Sequence, residues 1–481
     1  MIEHGIAANR FGLGLRPDDR IDGNPKRALL DQFDGYDPRP AVITAAPSRI
    51  AIAGELADYF RTAQGLRRQS PGPKGQSTGR TPDPETKETI AEGLKLVRKA
   101  GREGYGALVD ARMDAALDAP APFVERLVHF WANHFAVSAD KLTVIGLAGL
   151  LEFEAIRPHV LGKFSRMLLA VEQHPAMLLY LDQEQSIGPD SPVGERIAAR
   201  GVRKAGLNEN LAREILELHT LGVRTGYAQT DVTEFARALT GWTVSGLARA
   251  GLDRMVDTEG TPGDYVFAPA LHQPGDRTIM GRRYAQKGQA QARAVLDDLA
   301  VNPATATHIA TKLARHFAGD TPPPALVNRL ATAFQRGGGD LPTIYRVLIE
   351  APELWAPAQG KFKTPWDWTI SVYRALGLKT VEKQQTAGLL VQLGQPTWRP
   401  GSPAGFDDID ASWAGPAALL RRVEAAERIA ARTGNRLDAR KLGQIILPGV
   451  LTSATAQAIA RCESPAEALA LLLVAPEFMR R

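Results

Sequence analysis

The chain has 481 residues, of which 44% are hydrophobic and 23% are charged, and its formal net charge is +5. This composition is typical of a globular chain with a large core, and it excludes wholesale disorder. The single cysteine, Cys462, excludes an intramolecular disulfide, a CxxC redox pair and a zinc site built from several cysteines.

The N-terminal residues, MIEHGIAANRFGLGLRPDD, lack the basic start, apolar run and small-residue cleavage site of an export signal. We therefore expect a cytoplasmic protein. No stretch approaches the ~20 apolar residues of a membrane-spanning helix, so we expect no transmembrane segment. The densest basic run, Arg196 to Lys204, is short, whereas a nucleic-acid-binding protein concentrates its positive charge on one face. We therefore expect no nucleic-acid partner.

Helical periodicity dominates the pattern of hydrophobic residues. It predicts an all-α fold, a single large domain over 1–481 with many short helices. Strand-like residues occur near Tyr265–Phe267 and Thr278–Tyr284, which predict at most a small hairpin. No repeat of fixed period argues for a solenoid. The predicted helices span 105–117, 122–135, 148–182, 208–221, 231–240, 289–300, 304–317, 324–336, 341–350, 364–376, 384–392, 415–433, 439–446, 453–460 and 464–474.

Residues 64–92 differ in composition from the rest of the chain. The segment is rich in Pro, Gly, Ser, Thr and charged residues. Such a stretch buries too little apolar surface to offset the loss of chain entropy on ordering. We therefore expect a mobile insertion within the domain.

The first candidate for chemistry is the predicted helix that begins at Pro122. His134 shares a face with aromatic residues, which favours either a core histidine bonded to a backbone carbonyl or a ligand or acid/base group. His129 and His134 are five residues apart, so they cannot chelate one metal ion from the same helix face. We expect His129 on a polar, solvated face.

The second candidate is the predicted helix pair 208–242. Glu214 and Glu217 lie on one face of its first helix, and Arg213 and Arg237 are candidate charge partners. These residues could form a buried ion-pair network that joins the helices, or a functional polar centre. The loop between the helices lacks the carboxylates of an EF-hand, and the di-iron E-x-x-H spacing is absent.

Two shorter motifs give weaker signals. LHQPGD places His272 and Asp276 on a turn, where a lone histidine is usually solvated. KFKTPWDW places Lys361 and Lys363 just before a predicted helix start. Lysines there oppose the helix dipole, which hints at an acidic partner or an anion.

Ordered motifs along nearly the whole chain resemble the bacterial family known as domain of unknown function 1800. The motifs that carry the resemblance are Asn9-Arg10-Phe11-Gly12, Trp131 to Phe135, His174-Pro175 with Tyr180 to Asp182, Asn208 to Gly222, Ala236 to Trp242, Lys361 to Pro365 and Leu393 to Pro396. The resemblance implies an all-helical fold without an established activity. It also implies frequent export, and a sulfatase-like protein as a partner. The chain departs from the family pattern at His272-Gln273 and at Gly405-Phe406.

We draw two functional hypotheses from these features. The first is an enzyme with a polar centre between helix 122–135 and helix pair 208–242. His134, Glu214 and Glu217 would act as acid/base groups or as ligands of a divalent metal, with Arg213 and Arg237 as charge partners. The second is a non-catalytic helical scaffold or binding protein that acts with a partner protein. An exported or periplasmic location is the alternative to a cytoplasmic one.

Overall fold

A computed structural model describes residues 1–19, 22–69, 83–199, 206–247, 260–357, 360–381 and 385–481. Helices form nearly all of its regular structure, which confirms the predicted all-α class. In chain order the α-helices are α1 (Ile2–Ile6), α2 (Pro25–Asp31), α3 (Ala41–Thr44), α4 (Arg49–Gln69), α5 (Pro84–Leu117), α6 (Pro122–His134), α7 (Ala148–Leu150), α8 (Phe164–Glu172), α9 (Pro175–Tyr180), α10 (Pro192–Ala199), α11 (Asn210–Glu214) and α12 (Gln229–Leu239).

The second half of the chain continues the same pattern. Its α-helices are α13 (Gln289–Ala300), α14 (Pro303–Ala318), α15 (Pro324–Arg336), α16 (Leu341–Glu350), α17 (Pro365–Ala375), α18 (Gln385–Gln392), α19 (Asp410–Trp413), α20 (Pro416–Thr433), α21 (Ala439–Ile446), α22 (Ser453–Arg461), α23 (Pro465–Leu473) and α24 (Pro476–Met479). Short π-helical turns span Ala7–Phe11, Leu151–Ile156 and Ile215–His219, and 3₁₀ turns span Arg157–His159, Gln183–Gln185, Pro269–Leu271, Pro352–Trp355 and Gly434–Arg436.

Proline explains why the helices are short and numerous. Many helices begin with proline at the first position, where the missing N–H costs no hydrogen bond. Polar caps then satisfy the next free N–H groups. Asn302 accepts from Ala304 N at the start of α14, and Thr364 accepts from Asp367 N at the start of α17. The predicted helix 148–182 is wrong in its continuity, because Pro158, Gly162 and Pro175 divide it into shorter turns and helices.

The limits of the predicted insertion 64–92 are also wrong. Residues up to Gln69 belong to α4, and α5 begins at Pro84. Asp83 caps α5 by accepting from Thr86 N, and the Glu, Lys and Ala residues that follow favour a helix strongly enough to keep it regular where it is exposed. Residues 70–82, the centre of the predicted mobile insertion, lie outside the described residues.

The β-structure consists of two small antiparallel sheets rather than one hairpin. β1 (Trp242–Val244) pairs with β2 (Tyr265–Phe267), with Thr243 opposite Val266. β3 (Arg277–Ile279) pairs with β4 (Arg282–Tyr284), with Thr278 opposite Arg283. The predicted strands exist, but the partner of β2 precedes it in the chain.

Two apolar cores organise the helices. The larger core contains side chains from α1 to the 3₁₀ turn at Pro352–Trp355, together with Trp398. The smaller core contains side chains from α17 to α24, and Trp368 is fully buried in it. No helix among the described residues is long and apolar enough to cross a membrane. Side chains from residues 361–381 and 385–408 contribute to both cores, and some of them form one side of a cavity that α6 and α14 also line.

Candidate functional site

A cavity of about 460 Å³ lies between α6, α14, the start of α17 and the loop 395–408. Its volume is sufficient for a small organic molecule. The polar side chains on its wall are Arg112, Arg126, His129, Asn133, His134, His308, Thr311, Lys312, Arg315, His316, Thr364, Asp367, Gln395, Thr397, Asp407 and Asp408. Aromatic side chains of Phe130, Trp366, Trp398 and Phe406 complete the wall.

One face of α14 supplies the positive charge. His308, Lys312, Arg315 and His316 follow at spacings of four, three and one residues, which places them along one side of the helix. Among the described residues, the Lys312 amine has no hydrogen-bond or ion-pair partner. Arg315 Nε is buried and also has no hydrogen-bond partner among the residues that the structure describes. Burial and the charge of Arg315 lower the pKa of Lys312 to about 8, although Asp408 opposes the shift.

The histidines on the wall are held neutral by burial. His134 Nε2 donates to the carbonyl of His219 at 3.1 Å, and His308 Nε2 donates to the carbonyl of Leu218 at 3.0 Å. Burial and the nearby Lys312 lower the pKa of His308 to about 4 and place that of His134 well below its usual value. Because Nε2 carries the proton in each ring, Nδ1 is left as an acceptor. His134 Nδ1 is buried without a partner in the described structure.

Two of the three carboxylates on the wall are already paired with cations, and the third, Asp407, accepts from the Ser412 hydroxyl at 2.8 Å. Asp367 accepts from Arg126 at 3.0 Å and lies 3.1 Å from Arg481 Nε. Asp408 lies 3.2 Å from Lys361 Nζ and 2.9 Å from His316 Nδ1. Burial alone would raise the pKa values of both carboxyl groups, but Arg126 and Arg481 beside Asp367, and the His316 ring and Lys361 beside Asp408, hold them well below the usual range. Neither carboxylate is free to neutralise Lys312 and Arg315.

Two indole rings form the opposite, less polar side. The Arg112 guanidinium stacks 4.2 Å from the ring of Trp366 and 5.4 Å from that of Trp398. Glu152 neutralises Arg112 at 2.8 Å and accepts from Trp398 Nε1 at 3.0 Å. Trp366 Nε1 donates to His129 Nδ1 at 3.2 Å. The indole groups are therefore fixed in place, and they make this side of the wall less polar.

The side chain of Asn133 on α6 holds the loop 395–408 in place through two hydrogen bonds. Asn133 Nδ2 donates to the carbonyl of Phe406, and Phe406 N donates to Asn133 Oδ1, both at 2.8 Å. Gly405 has a positive φ of 83° and lies so close to the Asn133 carbonyl that a Cβ would clash with it. A glycine is required at this contact. The loop thus forms a fixed part of the cavity wall.

The structure places only His134 of the predicted site residues on this cavity. Its hydrogen bond to a backbone carbonyl agrees with one of the two interpretations of its sequence pattern. His129 is 8% exposed, so the predicted solvated face for it is wrong. It lies against Trp366 and near Glu125, because α6 is covered by neighbouring elements on nearly every side.

The other four predicted residues lie outside the cavity wall. Arg213 pairs with Glu209 at 3.3 Å and with Glu217 at 3.5 Å, with 36%, 30% and 26% of the three side chains exposed. Arg237 pairs with Glu234 instead. The prediction that this network is buried is therefore wrong, since its ion pairs are partly solvated. Its helix also departs from the predicted form, because α11 gives way to a π-helical turn after Glu214.

Glu214 differs from its neighbours in this group. It is half-buried, and burial together with the nearby Glu217 raises its pKa. A catalytic role for Glu214, Glu217, Arg213 or Arg237 stays a prediction. Among the described residues, no group of three or more His, Cys, Asp or Glu side chains is arranged to hold a metal ion.

The motif that contains Lys361 and Lys363 lies beside the cavity, since Lys361 pairs with Asp408 on its wall. Lys361 pairs with Asp320 at 2.8 Å and with Asp408, which confirms an acidic partner for it. Lys363 is fully buried 4.4 Å above the Phe478 ring, and burial lowers its pKa to about 7. Sequence reasoning missed Lys312, Arg315 and His308, because cations near the end of an amphipathic helix also suit a solvated surface. The spacing of His308 and Lys312 at i,i+4 is the signal that could have drawn attention to them.

Comparison with known proteins places the chain in a family. The family described as "Protein of unknown function (DUF1800)" matches residues 6–480, and the chain belongs to it. No curated protein and no solved structure matches the chain. The family match confirms the resemblance found in the ordered motifs, and it assigns no reaction.

Proposed function

We propose that this protein is an enzyme whose active site is the cavity between α6, α14 and loop 395–408, and that its substrate is a small organic anion. The observation that carries the proposal is a pair of cations, Lys312 and Arg315, that line the cavity without a carboxylate partner among the described residues. Both side chains are partly exposed, so an anion can reach them, and a concave site whose cations no protein group neutralises is suited to an anionic ligand.

An anion bound between these cations would supply the missing partner. Charge-assisted hydrogen bonds from ammonium and guanidinium groups to carboxylate or phosphate oxygens are the strong ones in proteins. Thr311 lines the same wall and adds a hydroxyl group. The aromatic side chains on the wall would contact the apolar part of the molecule.

The neighbouring titratable groups suit proton transfer. The Lys312 amine changes charge near pH 8, and neutral His134 and His308 each present an acceptor nitrogen. A group whose pKa lies near the working pH is the most effective general acid or base. We therefore assign the acid/base role to Lys312, and to the two neutral histidines the role of hydrogen-bond acceptors. A divalent metal held by His134, Glu214 and Glu217 stays a prediction.

Thermal unfolding and calorimetry with a panel of small carboxylates, phosphates and sulfates test this proposal. At least one anion should stabilise wild-type protein, and Lys312→Met and Arg315→Met should each weaken its binding by about tenfold or more. Lys287→Met removes an exposed lysine and should leave binding unchanged. Equal binding to all four proteins would contradict the proposal.

The pH dependence of binding follows from the same lysine. Its positive form binds an anion, so affinity should fall as the pH rises through about 8. Glu217→Gln tests the predicted polar centre of helix pair 208–242 in the same assay, since a catalytic Glu217 predicts weakened binding or turnover in a folded protein.

A binding protein that acts with a partner is the second candidate function. Leu420 and Val391 are 59% and 53% exposed, and Leu419 and Val423 add apolar surface on α20. Exposed apolar surface of this kind favours a protein contact when it forms a continuous patch. The sulfatase-like partner implied by the family resemblance would be such a protein. Loss of its co-purification with Leu420→Asp, with anion binding intact, would support this function.

A further inference from the structure

Resting on the proposed function, we infer that Lys312 condenses with the carbonyl group of its substrate while Arg315 binds a carboxylate next to that carbonyl. The substrate class is then the 2-oxo acids. This assignment goes beyond anion binding, because it gives the amine a covalent role.

The geometry distinguishes Lys312 from the other amines near the cavity. Among the described residues that line the wall, Lys312 is the only lysine. The amine of Lys361, by contrast, is held by Asp320 and Asp408. Lys312 and Arg315 are three residues apart on α14, so their side chains begin about 5–6 Å apart on one face of the helix. A small molecule that carries adjacent carbonyl and carboxylate groups can reach both.

The surroundings favour a neutral, nucleophilic amine. An amine attacks a carbonyl only in its unprotonated form, and burial beside a second cation is an established way to obtain that form. With a pKa of about 8, a substantial fraction of Lys312 is neutral at slightly alkaline pH. The proton that the amine loses passes to water, because neutral His308, one helical turn before Lys312, has a pKa of only about 4.

The proposed step is balanced without an oxidant or a reductant. The lone pair of Lys312 Nζ forms a bond to the carbonyl carbon, and the π electrons of the C=O bond move to oxygen. Proton transfer from nitrogen to oxygen gives a carbinolamine. A second proton then lets the oxygen leave as water, which produces an iminium ion between Lys312 and the substrate. Hydrolysis reverses each step.

Reductive trapping of the full-length protein tests this inference. Incubation with pyruvate and sodium cyanoborohydride should attach one carboxyethyl group, and peptide mapping should place it on Lys312. Lys312→Arg keeps the positive charge but cannot form the imine, so it should abolish this label. Lys287→Arg is the matched control at an exposed position and should leave the label in place.

A change at Arg315 separates carboxylate recognition from amine reactivity. Arg315→Gln should raise the pyruvate concentration needed for half-labelling by about tenfold or more, since a charge-assisted hydrogen bond is lost. Labelling by acetone, which has no carboxylate, should fall much less than labelling by pyruvate in the same variant, because acetone loses only the effect of Arg315 on the Lys312 pKa. Labelling spread evenly over surface lysines of the wild-type protein would overturn the inference.

Lactate distinguishes the failure of this inference from the failure of the proposed function. Lactate has the carboxylate but no carbonyl next to it, so it can bind without reacting. If lactate or another anion binds through Lys312 and Arg315 but pyruvate gives no adduct, the covalent role is wrong and the anion site stands. If no anion binds and no adduct forms, both proposals are wrong.

Discussion

Arg213 on α11 and Lys312 on α14 are basic residues on helices that pack against the core, yet their surroundings differ in the respect that matters for function. Arg213 lies between Glu209 and Glu217 on a partly solvated surface. Lys312 lines the cavity, and its amine has no hydrogen-bond or ion-pair partner among the described residues. A dense run of charge in the sequence therefore marks a self-neutralised surface here, whereas the better candidate site contains charge that the protein leaves unpaired.

The largest expected effect comes from an interior pair that is neutralised. Arg126 is 1% exposed, donates to the Gly12 carbonyl at 2.7 Å and pairs with Asp367. Arg126→Met should lower the free energy of unfolding by about 3–5 kcal/mol, because a buried carboxylate loses a partner. Urea unfolding measures this. A loss below about 1 kcal/mol would show that Arg481 alone is enough to neutralise Asp367.

The second-largest effect should come from acidification, which lowers the stability of the folded protein through the histidines on the cavity wall. In the unfolded chain a histidine binds its proton near pH 6.5, whereas His308 does so only near pH 4, and His134 is shifted in the same direction. The unfolded state therefore binds more protons between these values, and stability falls as the pH drops from 6.5 towards 4. His308 alone contributes up to about 3 kcal/mol.

Measuring the free energy of unfolding with urea at pH 7.5 and at pH 5 checks this expectation, because most carboxyl groups titrate below pH 5. His308→Gln keeps a donor for the Leu218 carbonyl and removes the titration, so its stability should depend less on pH. An identical pH dependence in the variant and the wild type would contradict the assignment.

Removing the unpaired charge of Lys312 should stabilise the protein, whereas removing the paired charge of Arg126 should destabilise it. Lys312→Met should raise the free energy of unfolding by about 1–2 kcal/mol, reduced from the full pKa shift because the amine faces a cavity that water can enter. Such a gain accompanied by lost function is the behaviour of an active-site residue. Arg315→Met provides a second case, and a decrease in stability for both variants would argue that an internal partner neutralises them.

The smallest effect belongs to the helix pair. Arg213→Ala should change the free energy of unfolding by less than about 1 kcal/mol, because partly exposed ion pairs contribute little. Thermal melts of this variant beside Arg126→Met would give the comparison directly. A loss of several kcal/mol would restore the buried network that the sequence pattern suggested.

The helical class, the starts of most helices and the family could be predicted from the sequence because they depend on local signals. Proline and polar caps set the starts of α6, α14 and α17 within a residue or so. The length of α5 and the division of 148–182 were missed, since a regular helix can continue through polar residues and a broken one can still show apolar periodicity.

The sequence by itself determined which segments are helical, and it brought His134 forward as a candidate through its aromatic neighbours. Only the tertiary structure decided that His134 meets Lys312, Arg315 and Trp398 around one cavity, since these residues come from segments far apart in the chain. Whether a charge is paired is likewise a tertiary property. Arg126 and Lys312 look alike in the sequence. Asp367 pairs with Arg126, because the start of α17 packs against α6. No described carboxylate pairs with Lys312.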